Sequence, residues 1–250
     1  MGALDGEAGL EHERPAISVD VAAFRMDRAP VTVARFGAFV EATGHVTAAE
    51  RFGDGAAWVP GEGWRLVPGA TWRTPTGQGG PRAAGDHPVT QVSFADAEAF
   101  CSWDGGRLPT EAEWEHAARG AVDRRDPYAW GGGDLGEGRH ARANTWTGTF
   151  PGRNTASDGY ASTSPVGAFG TTDLGLTDMG GNVWEWVDAW YRPYSDRGTP
   201  FNPTTQSERV QRGGSFMCHP SYCHGYRVSA RSHSTPESSA AHVGFRCAEG

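Results

Sequence analysis

The sequence predicts a single, loop-rich α+β domain held together by buried aromatic side chains. Glycine and tryptophan are abundant, with 36 and 10 residues among the 250. This composition favours irregular backbone anchored by large rings over a helical bundle or a regular parallel sheet. Long apolar runs are absent, and no internal repeat, linker or low-complexity tract divides the chain. We therefore expect one domain over residues 1–250.

The first elements follow from local patterns. Residues 1–15 are acidic and lack apolar periodicity, so we expect a frayed or shortened N-terminus. The segment "AISVDVAAFRMDRAPVT" alternates enough for a strand that Pro30 ends. The next segment predicts a helix, with an N-cap, helically spaced apolar residues and a terminating glycine at Thr32, Phe36, Phe39, Val40 and Gly44.

Two further helices are predicted in the middle of the chain. Residues 50–86 combine Gly, Pro and Trp without a clean period, which indicates a long ordered loop. "HPVTQVSFADAEAFCSWDGG" predicts a short strand and then a helix that begins after the N-cap Ser93. "RLPTEAEWEHAARG" predicts a helix between the N-cap Thr110 and Gly120, with acidic residues in its first turn. Glycine-rich loops and short strands follow from residue 121.

Charge and composition exclude several classes of function. The net charge is −8, which disfavours nucleic acid as a partner because phosphate binding needs a basic face. All 22 basic residues are arginine, so Schiff-base, pyridoxal and phosphate-loop chemistry that needs lysine is excluded. No run approaches the roughly 20 apolar residues of a membrane span. The acidic start has no apolar core of a secretory signal, so we expect a cytoplasmic protein with no membrane partner.

Two groups of oxygen ligands occur in turn-rich segments. Asn144 and Asp158 lie within "ANTWTGTFPGRNTASDGY". The segment "DMGGNVWEW" places side-chain and main-chain oxygens at alternating spacing, at Asp178, Gly181, Val183 and Glu185. Oxygen-only sites on loops suit Ca²⁺, although neither segment is an EF-hand loop. The alternative is that these are ordinary turn-forming residues.

The cysteines Cys218 and Cys223 are five positions apart in a segment with proline and flanking glycines. In a helix this spacing would separate the side chains by about 140°, whereas a turning loop can bring the sulfurs together. Neighbouring histidines lack zinc-finger spacing, and no C-x-x-C redox motif is present. Two thiolates without a further ligand suit a soft, low-coordinate ion such as Cu(I). A local disulfide and a metal site both remain open.

Four segments, in this order, resemble the formylglycine-generating enzymes, also called sulfatase-modifying factors. They are "RLPTEAEWEHAARG", "GNVWEWV", "RGGSFMCHPSYCHGYRVSARS" and the ending "VGFRC". The resemblance extends from about residue 15 to the end and implies a variant of the C-type lectin-like fold. It implies oxidation of a cysteine within a Cys-X-Pro-X-Arg motif of a sulfatase to Cα-formylglycine, with O₂ as co-substrate and Cu(I) as cofactor.

The resemblance also implies roles for individual residues. Cys218 and Cys223 match the copper-binding, catalytic cysteines, and Ser215, Trp184 and Tyr222 match residues lining the place where the substrate thiol and oxygen meet. One structural Ca²⁺ site would use Asn144, Thr145, Asp158 and Tyr160, and a second would use Asp178, Gly181, Val183 and Glu185.

Another cysteine pair, Cys101 and Cys247, matches a disulfide of secretory-pathway relatives. In a reducing cytosol we expect these two residues to be thiols.

The expected partner is a sulfatase polypeptide or peptide bearing the motif, and we expect a monomer. Three alternatives accompany this interpretation. A metal-free thiol/disulfide oxidoreductase would use the cysteine pair alone. A non-catalytic C-type lectin-like binding module would leave the cysteine pair unexplained. A sulfoxide synthase would need an iron-binding histidine triad, which is not evident in the sequence.

Overall fold

Among the residues that the structure describes, four α-helices begin at side-chain caps. The computed structural model describes residues 1–4, 9–122 and 125–250. The helices are α1 (Val33–Thr43), α2 (Ala48–Phe52), α3 (Phe94–Trp103) and α4 (Glu111–Ala118). In each, the hydroxyl of the N-cap residue accepts a hydrogen bond from the backbone N–H three positions on, at Thr32, Thr47, Ser93 and Thr110. This bond satisfies an N–H group that has no partner within the helix. The three predicted helices are therefore confirmed at their predicted N-caps.

The strands are short, and the largest sheet has four of them. They are β1 (Arg25–Met26), β2 (Asp54–Val59), β3 (Gly63–Pro68), β4 (Gly148–Thr149), β5 (Arg153–Asn154), β6 (Trp184–Trp190), β7 (Arg209–Arg212), β8 (Arg231–Ser234), β9 (Val243–Phe245) and β10 (Ala248–Glu249). The main sheet has the order β8-β7-β6-β9, in which β6 runs antiparallel to β7 and parallel to β9. Three two-stranded ladders join β1 to β10, β2 to β3, and β4 to β5.

Three local predictions differ from the structure. Residues 50–86 are not a continuous loop, because they contain the end of α2 and the hairpin β2–β3. The strand predicted before Pro30 is reduced to Arg25–Met26, which pairs with β10. Residues 87–92, all of which the structure describes, form no strand, although the N–H of Val89 bonds the carbonyl of Val31 over 2.9 Å. Strand formation depends on distant partners, which a local alternation pattern does not show.

The N-terminal segment is packed into the domain. The N–H of Gly2 donates to Oε1 of Glu115 over 2.9 Å, and Glu13 is 0% exposed. The prediction of a frayed N-terminus over residues 1–15 is therefore wrong for the described part of that range; residues 5–8 lie outside the described residues. The contacts that order this segment are made to distant parts of the chain, so its own acidic, aperiodic sequence does not reveal them.

Aromatic side chains form the main core, as the composition predicts. The ring of Phe36 lies 5.4 Å from those of Phe39 and Trp72 and 5.9 Å from that of Phe100, between centroids. Phe245 of β9 packs edge-on against Phe100 at 5.4 Å, which joins the sheet to α1 and α3. A second cluster surrounds Trp114 of α4 on the other side of β6 and β7. Such edge-to-face pairs are favourable beyond the apolar area that they bury.

Buried ion pairs complement the two apolar clusters. Four arginines with side chains no more than 3% exposed each contact a glutamate that is no more than 4% exposed, in the pairs Glu13–Arg227, Glu115–Arg212, Glu111–Arg231 and Glu185–Arg246. Arg246 also donates to main-chain carbonyls at Asp27, Arg28 and Thr177. The guanidinium group thus donates hydrogen bonds to carbonyl groups of irregular backbone, which have no partner in a sheet or a helix.

Cys101 and Cys247 form a disulfide that links α3 to the C-terminal segment, with their Cα atoms 5.5 Å apart. The pairing implied by the resemblance is confirmed, and the expectation that both are thiols is not what the structure shows. Their burial, at 0% and 5% exposure, shields the bond from solvent. None of the helices in the described ranges has the length and apolarity that a bilayer span requires.

The Glu185–Arg246 pair gives a stability test. Arg246→Ala would leave the carboxylate of Glu185 buried with Trp114 as its remaining side-chain donor. We expect a loss of about 3–5 kcal/mol in the free energy of unfolding, measured by urea titration. Arg25→Ala is the control, because the Arg25–Glu249 pair spans 3.7 Å and its side chains are 88% and 56% exposed. It should change stability by less than about 0.5 kcal/mol. Equal effects of the two substitutions would contradict the assignment.

Candidate active site

The cysteine-bearing loop, residues 213–226, follows β7 and leads to β8. Its two ends are joined by hydrogen bonds. Arg212, the last residue of β7, is 0% exposed and bonds Glu115 of α4. The same guanidinium donates to the carbonyls of Val228, Ser229 and Ala230 over 2.8–3.0 Å. The backbone entering the loop is thereby fastened to the backbone leaving it.

Two glycines allow the limbs of this loop to lie against each other. A Cβ atom at Gly214 would lie 2.6 Å from the backbone nitrogen of Tyr226, closer than real side chains approach. A Cβ atom at Gly225 would lie 2.6 Å from Cη2 of Trp184 and 3.0 Å from Sγ of Cys218. Glycine is needed at both positions because the space is filled by backbone, an indole and a sulfur. The loop thus packs against β6 at the side chain of Trp184.

Cys218 and Cys223 meet at the turn of the loop. Their sulfur atoms are bonded to each other, and their Cα atoms are 5.5 Å apart. The carbonyl of His219 accepts hydrogen bonds from the backbone N–H groups of Tyr222, Cys223 and His224 over 2.8–3.3 Å, which closes the turn. The prediction that a turning loop brings these sulfurs together is confirmed. A disulfide and a soft-metal site both require this proximity.

The two sulfurs have different surroundings. Cys218 is 1% exposed, and its Sγ accepts a hydrogen bond from the N–H of Ser215 over 3.4 Å. Ser215 is also buried, and its Oγ accepts from the N–H of Met217 over 3.2 Å. Cys223 is partly exposed, and its neighbour in the sequence, Tyr222, is 51% exposed. The predicted lining residues Ser215 and Trp184 therefore lie on the buried side of the sulfur pair.

Aromatic rings form a wall on the exposed side. The ring of Phe150 stacks on Tyr222 with centroids 4.3 Å apart and contacts Trp146 and Trp58 at 5.1 and 5.5 Å. Trp64 continues the wall, 5.9 Å from Trp58. Sequence reasoning missed this wall. Trp58 of β2 and Trp64 of β3 are opposite each other in the antiparallel hairpin. Recognising this hairpin in the sequence would have indicated that the two indoles are neighbours.

A cavity of about 800 Å³ lies beside the loop. It is bounded by residues 134–148 on one side and by His219 and Pro220 of the cysteine loop on another. The N–H of Trp146 donates to the carbonyl of Cys218 over 3.0 Å, so this wall of the cavity is joined directly to the sulfur pair. The cavity is large enough for a small ligand or several residues of an extended peptide.

The first predicted set of oxygen ligands is brought together at the edge of this cavity. Asp158 accepts from the N–H groups of Thr145 and Tyr160 over 3.2 and 3.1 Å. Asn144 directs its Nδ2 to the carbonyl of Ser162, and its Oδ1 is buried without a hydrogen-bond partner. Burial raises the pKa of Asp158 despite its backbone donors. A buried, unpaired oxygen and a desolvated carboxylate suit a hard cation.

The second set is engaged in other bonds. Oδ1 of Asp178 accepts from Nδ2 of Asn182 over 3.0 Å, and its Oδ2 accepts from the N–H of Gly167 over 2.7 Å. Both carboxylate oxygens of Glu185 accept from Arg246 over 2.7 Å, and one also accepts from the indole of Trp114. Glu185 thus faces an arginine instead of presenting an open ligand position.

The other two members of the second set, Gly181 and Val183, can offer only main-chain oxygens. Across residues 1–4, 9–122 and 125–250, no cluster of three or more His, Cys, Asp or Glu side chains could hold a metal ion. A calcium ion at either set would therefore rely on main-chain and amide oxygens as well as carboxylates. Calcium at the second set stays a prediction.

A loop-rich α+β domain of short strands and capped helices, with a paired-cysteine loop packed on a buried tryptophan, places the chain in the C-type lectin-like fold class. The family described as "Sulfatase-modifying factor enzyme 1-like domain" matches residues 1–250, and the chain belongs to this family. The predicted family and fold class are thereby confirmed.

Individual relatives agree with this assignment. The chain is 46% identical to a formylglycine-generating enzyme of Streptomyces coelicolor, over 99% of this chain and 85% of the relative. It is 45% identical to one of Thermomonospora curvata, over 99% and 89%. Among solved structures, PvdO from Pseudomonas aeruginosa superposes with a TM-score of 0.75 at 27% identity, covering 99% of this chain and 89% of PvdO. These similarities support the predicted enzyme class.

The close approach at Gly225 can be tested directly. Gly225→Ala must displace either the Trp184 indole or Sγ of Cys218. We expect a loss of about 1–3 kcal/mol in unfolding free energy from overpacking. We also expect faster alkylation of reduced Cys218, measured by mass spectrometry of the loop peptide. Gly85→Ala is the control, because its Cβ would meet only Ala34 Cβ at 3.7 Å. Unchanged stability and alkylation in Gly225→Ala would show that the loop is not packed in this way.

Proposed function

We propose that this protein oxidises a cysteine within a Cys-X-Pro-X-Arg motif of a sulfatase to Cα-formylglycine, using O₂ and a Cu(I) ion between Cys218 and Cys223. The observation that carries the proposal is the sulfur pair, which lies between a buried tryptophan and an aromatic wall in a chain of this family. The homologous formylglycine-generating enzymes support the conversion of the sulfatase cysteine.

The residues of the site fit a monovalent copper ion. When reduced, the two cysteines offer two soft anionic ligands that the closed turn keeps adjacent. Soft thiolates prefer Cu(I) to hard cations. Bound copper would supply a soft anchor for the substrate sulfur and the one-electron chemistry that O₂ requires. The N–H of Ser215 donates to Cys218 Sγ and would stabilise its thiolate.

The other side chains bind and orient the substrate. Cys223 is the more exposed sulfur, so a peptide thiol would approach from its side, beside Tyr222. The stacked rings of Tyr222 and Phe150 offer a rigid apolar surface for the peptide. Trp184, which is 5% exposed, excludes water from the buried side of the pair. Holding the reacting groups in one orientation lowers the entropic cost of the reaction.

The proposed reaction changes one carbon atom of the substrate. Removal of two electrons and two protons from the CH₂–SH group gives a thioaldehyde, and O₂ takes up both electrons and both protons to become hydrogen peroxide. Water then replaces sulfur, which releases sulfide and leaves the aldehyde. The protein contributes position, exclusion of bulk water and a stabilised thiolate, and the observed packing of Cys218 supports these roles.

We further propose that the first oxygen set, Asn144, Thr145, Asp158 and Tyr160, binds a structural Ca²⁺ ion. The buried, unpaired Oδ1 of Asn144 and the desolvated carboxylate of Asp158 support this proposal. The segment that carries Asn144 continues to Trp146, whose N–H bonds the carbonyl of Cys218. Calcium would therefore rigidify the wall on which the cysteine loop rests.

Removal of either cysteine tests the catalytic proposal. We expect Cys218→Ser and Cys223→Ser each to abolish both tight Cu(I) binding and copper-dependent turnover, because a hydroxyl is a poor ligand for a soft ion. Protein, Cu(I), a thiol reductant and a Cys-X-Pro-X-Arg peptide are incubated in air. The mass loss that accompanies conversion of CH₂SH to CHO is then measured. Ser221→Ala, next to the pair in sequence, is the matched control. Full copper-dependent activity in either cysteine variant would refute the two-sulfur site.

The directly bonded sulfurs favour one alternative, a metal-free thiol/disulfide oxidoreductase. The two functions respond differently to a Cu(I) chelator. The proposed enzyme loses aldehyde formation when copper is sequestered and regains it when Cu(I) is returned. A metal-free exchange would continue unchanged and would leave the peptide as a disulfide.

Calcium binding predicts a linked change in stability. A saturating Ca²⁺ concentration, about 100 times the Kd, should raise the free energy of unfolding by about 2.7 kcal/mol relative to protein in EGTA. Asp158→Asn should remove most of this increment because it removes the charged ligand. Asp188→Asn should retain it, since Asp188 lies at the surface and pairs with Arg209. An increment that persists in Asp158→Asn would place the ion elsewhere.

A further inference from the structure

The exit of the cysteine loop is fastened by a residue from the N-terminal segment. Arg227 follows the loop directly, and its Nη1 and Nη2 donate to the two carboxylate oxygens of Glu13 over 2.7 and 2.6 Å. Ser229 adds a hydrogen bond from its Oγ to Oε2 of Glu13 over 2.8 Å. This is the bidentate geometry, which makes guanidinium–carboxylate pairs geometrically specific.

The pair is removed from solvent. Glu13 is 0% exposed and Arg227 is 3% exposed. Burial alone would raise the pKa of Glu13, but the hydrogen bonds and charge of Arg227 outweigh it and hold that pKa below its ordinary value. The backbone of Glu13 is also held, because its carbonyl accepts from the N–H of Ala3 over 2.9 Å and its N–H donates to Leu10 over 3.0 Å. The N-terminal segment thus presents a fixed carboxylate to the loop.

The two ends of the loop share one anchor, Arg212, and the exit has a second one. Its entrance is held by Arg212 and Glu115, which belong to β7 and α4. Its exit is held by the bonds from Arg212 to the carbonyls of residues 228–230 and also by Arg227 with Glu13. Glu13 lies in a short 3₁₀ turn, Glu11–Glu13, outside the sheet and the helices. Glu13 therefore gives the exit a contact that β7 and α4 do not supply.

A short path of contacts joins this anchor to the sulfur pair. Arg227 is preceded by Gly225 and Tyr226, whose backbone lies against Gly214. Gly225 in turn lies against the Trp184 indole and Sγ of Cys218. A shift of Arg227 would change the space at Gly225, where no added atom is tolerated. A displacement of about 1 Å is enough to cost on the order of 10²-fold in a reaction that depends on alignment.

We propose that Glu13 is a positioning residue for the Cys218/Cys223 pair, acting through Arg227 on the exit of the loop. The consequence for catalysis rests on the proposed function; the consequence for the distance between the two sulfurs does not. Glu13 touches neither sulfur, and its effect is to restrict the loop to the conformation in which both sulfurs meet.

The test uses Glu13→Gln, which keeps the shape of the side chain and removes its charge. The equilibrium between the Cys218/Cys223 dithiol and its disulfide is measured in glutathione buffers, with alkylation of the loop peptide read by mass spectrometry. One oxidised glutathione accepts two electrons from the dithiol, giving the protein disulfide and two reduced glutathiones. A less restricted loop lowers the effective concentration of one thiol for the other. We expect the equilibrium constant to fall by about tenfold, equivalent to about 30 mV.

The matched control is Asp96→Asn. Asp96 is a buried carboxylate, 1% exposed, whose partners Ser93, Ala48 and His45 all lie far from the loop in the sequence. This variant should lower stability without changing the dithiol equilibrium. Equal shifts in Glu13→Gln and Asp96→Asn would overturn the proposal, because they would reflect general loosening. No shift in Glu13→Gln would overturn it as well.

A milder variant covers the case in which Glu13→Gln fails to fold. Ser229→Ala removes the hydroxyl that donates to Glu13 and accepts from Nη1 of Arg227, and it leaves the ion pair in place. It should shift the dithiol equilibrium in the same direction by about two- to threefold, because buried hydrogen bonds are lost while the ion pair stays intact. No shift in Ser229→Ala, with Glu13→Gln unfolded, counts against the proposal.

Peptide turnover is measured on the same variants and separates the two claims. If wild-type protein forms no aldehyde while Glu13→Gln still shifts the dithiol equilibrium, the proposed function fails and the positioning role stands. If wild-type protein is active and the equilibrium in Glu13→Gln is unchanged, the positioning role fails alone.

Discussion

Buried pairs of arginine and glutamate determine the geometry of this domain. Regular strands and helices are short, so much of the backbone must find hydrogen-bond partners elsewhere. A guanidinium group has five donors in a planar fork and can hold a carboxylate and several carbonyls at once. Arg212 does so between Glu115 and the carbonyls of residues 228–230. A chain without lysine is suited to this construction, because an ammonium group has only three donors and no fixed plane.

The same construction supports a site with two unlike sides. On one side Cys218, Ser215 and Trp184 are packed as tightly as a core. On the other, Tyr222 and Phe150 are stacked at the surface beside the more exposed Cys223. A loop with one buried and one accessible sulfur can hold a ligand firmly while admitting a second molecule from a single direction. This asymmetry is what the proposed oxidation of a peptide thiol requires.

Local features of this fold could be predicted from the sequence, and long-range features could not. The helices beginning after Thr32, Ser93 and Thr110 were predictable because a capping hydroxyl bonds a backbone group only three residues away. The hairpin β2–β3 was missed because glycine, proline and tryptophan obscure its alternation. The buried N-terminal segment was missed because Glu13 owes its order to Arg227, at the other end of the chain.

The candidate site shows the same division. The meeting of Cys218 and Cys223 was predictable from proline and glycine in a short segment. The aromatic wall was not, because Trp58 and Phe150 come from separate hairpins that only the tertiary fold joins. The resemblance named Glu185 as a cation ligand, yet its position in β6 directs it towards Arg246. A motif identifies the residue, whereas the side chains that the fold places beside it determine what it bonds.

The arginine–carboxylate anchors are sensitive to acid and not to base. Guanidinium groups keep their protons throughout the alkaline range in which proteins survive, so the anchors can be lost only by protonating the carboxylates. Burial raises the pKa of Glu13, but bonding to Arg227 outweighs burial, so the native pKa lies below the unfolded value. Arg107 lowers the pKa of Glu113 in the same way. Such groups stabilise the native state above the unfolded pKa, and that contribution disappears as the pH drops through the native pKa. Acidification therefore weakens the hold on the sulfur-bearing loop, while alkaline conditions leave it intact.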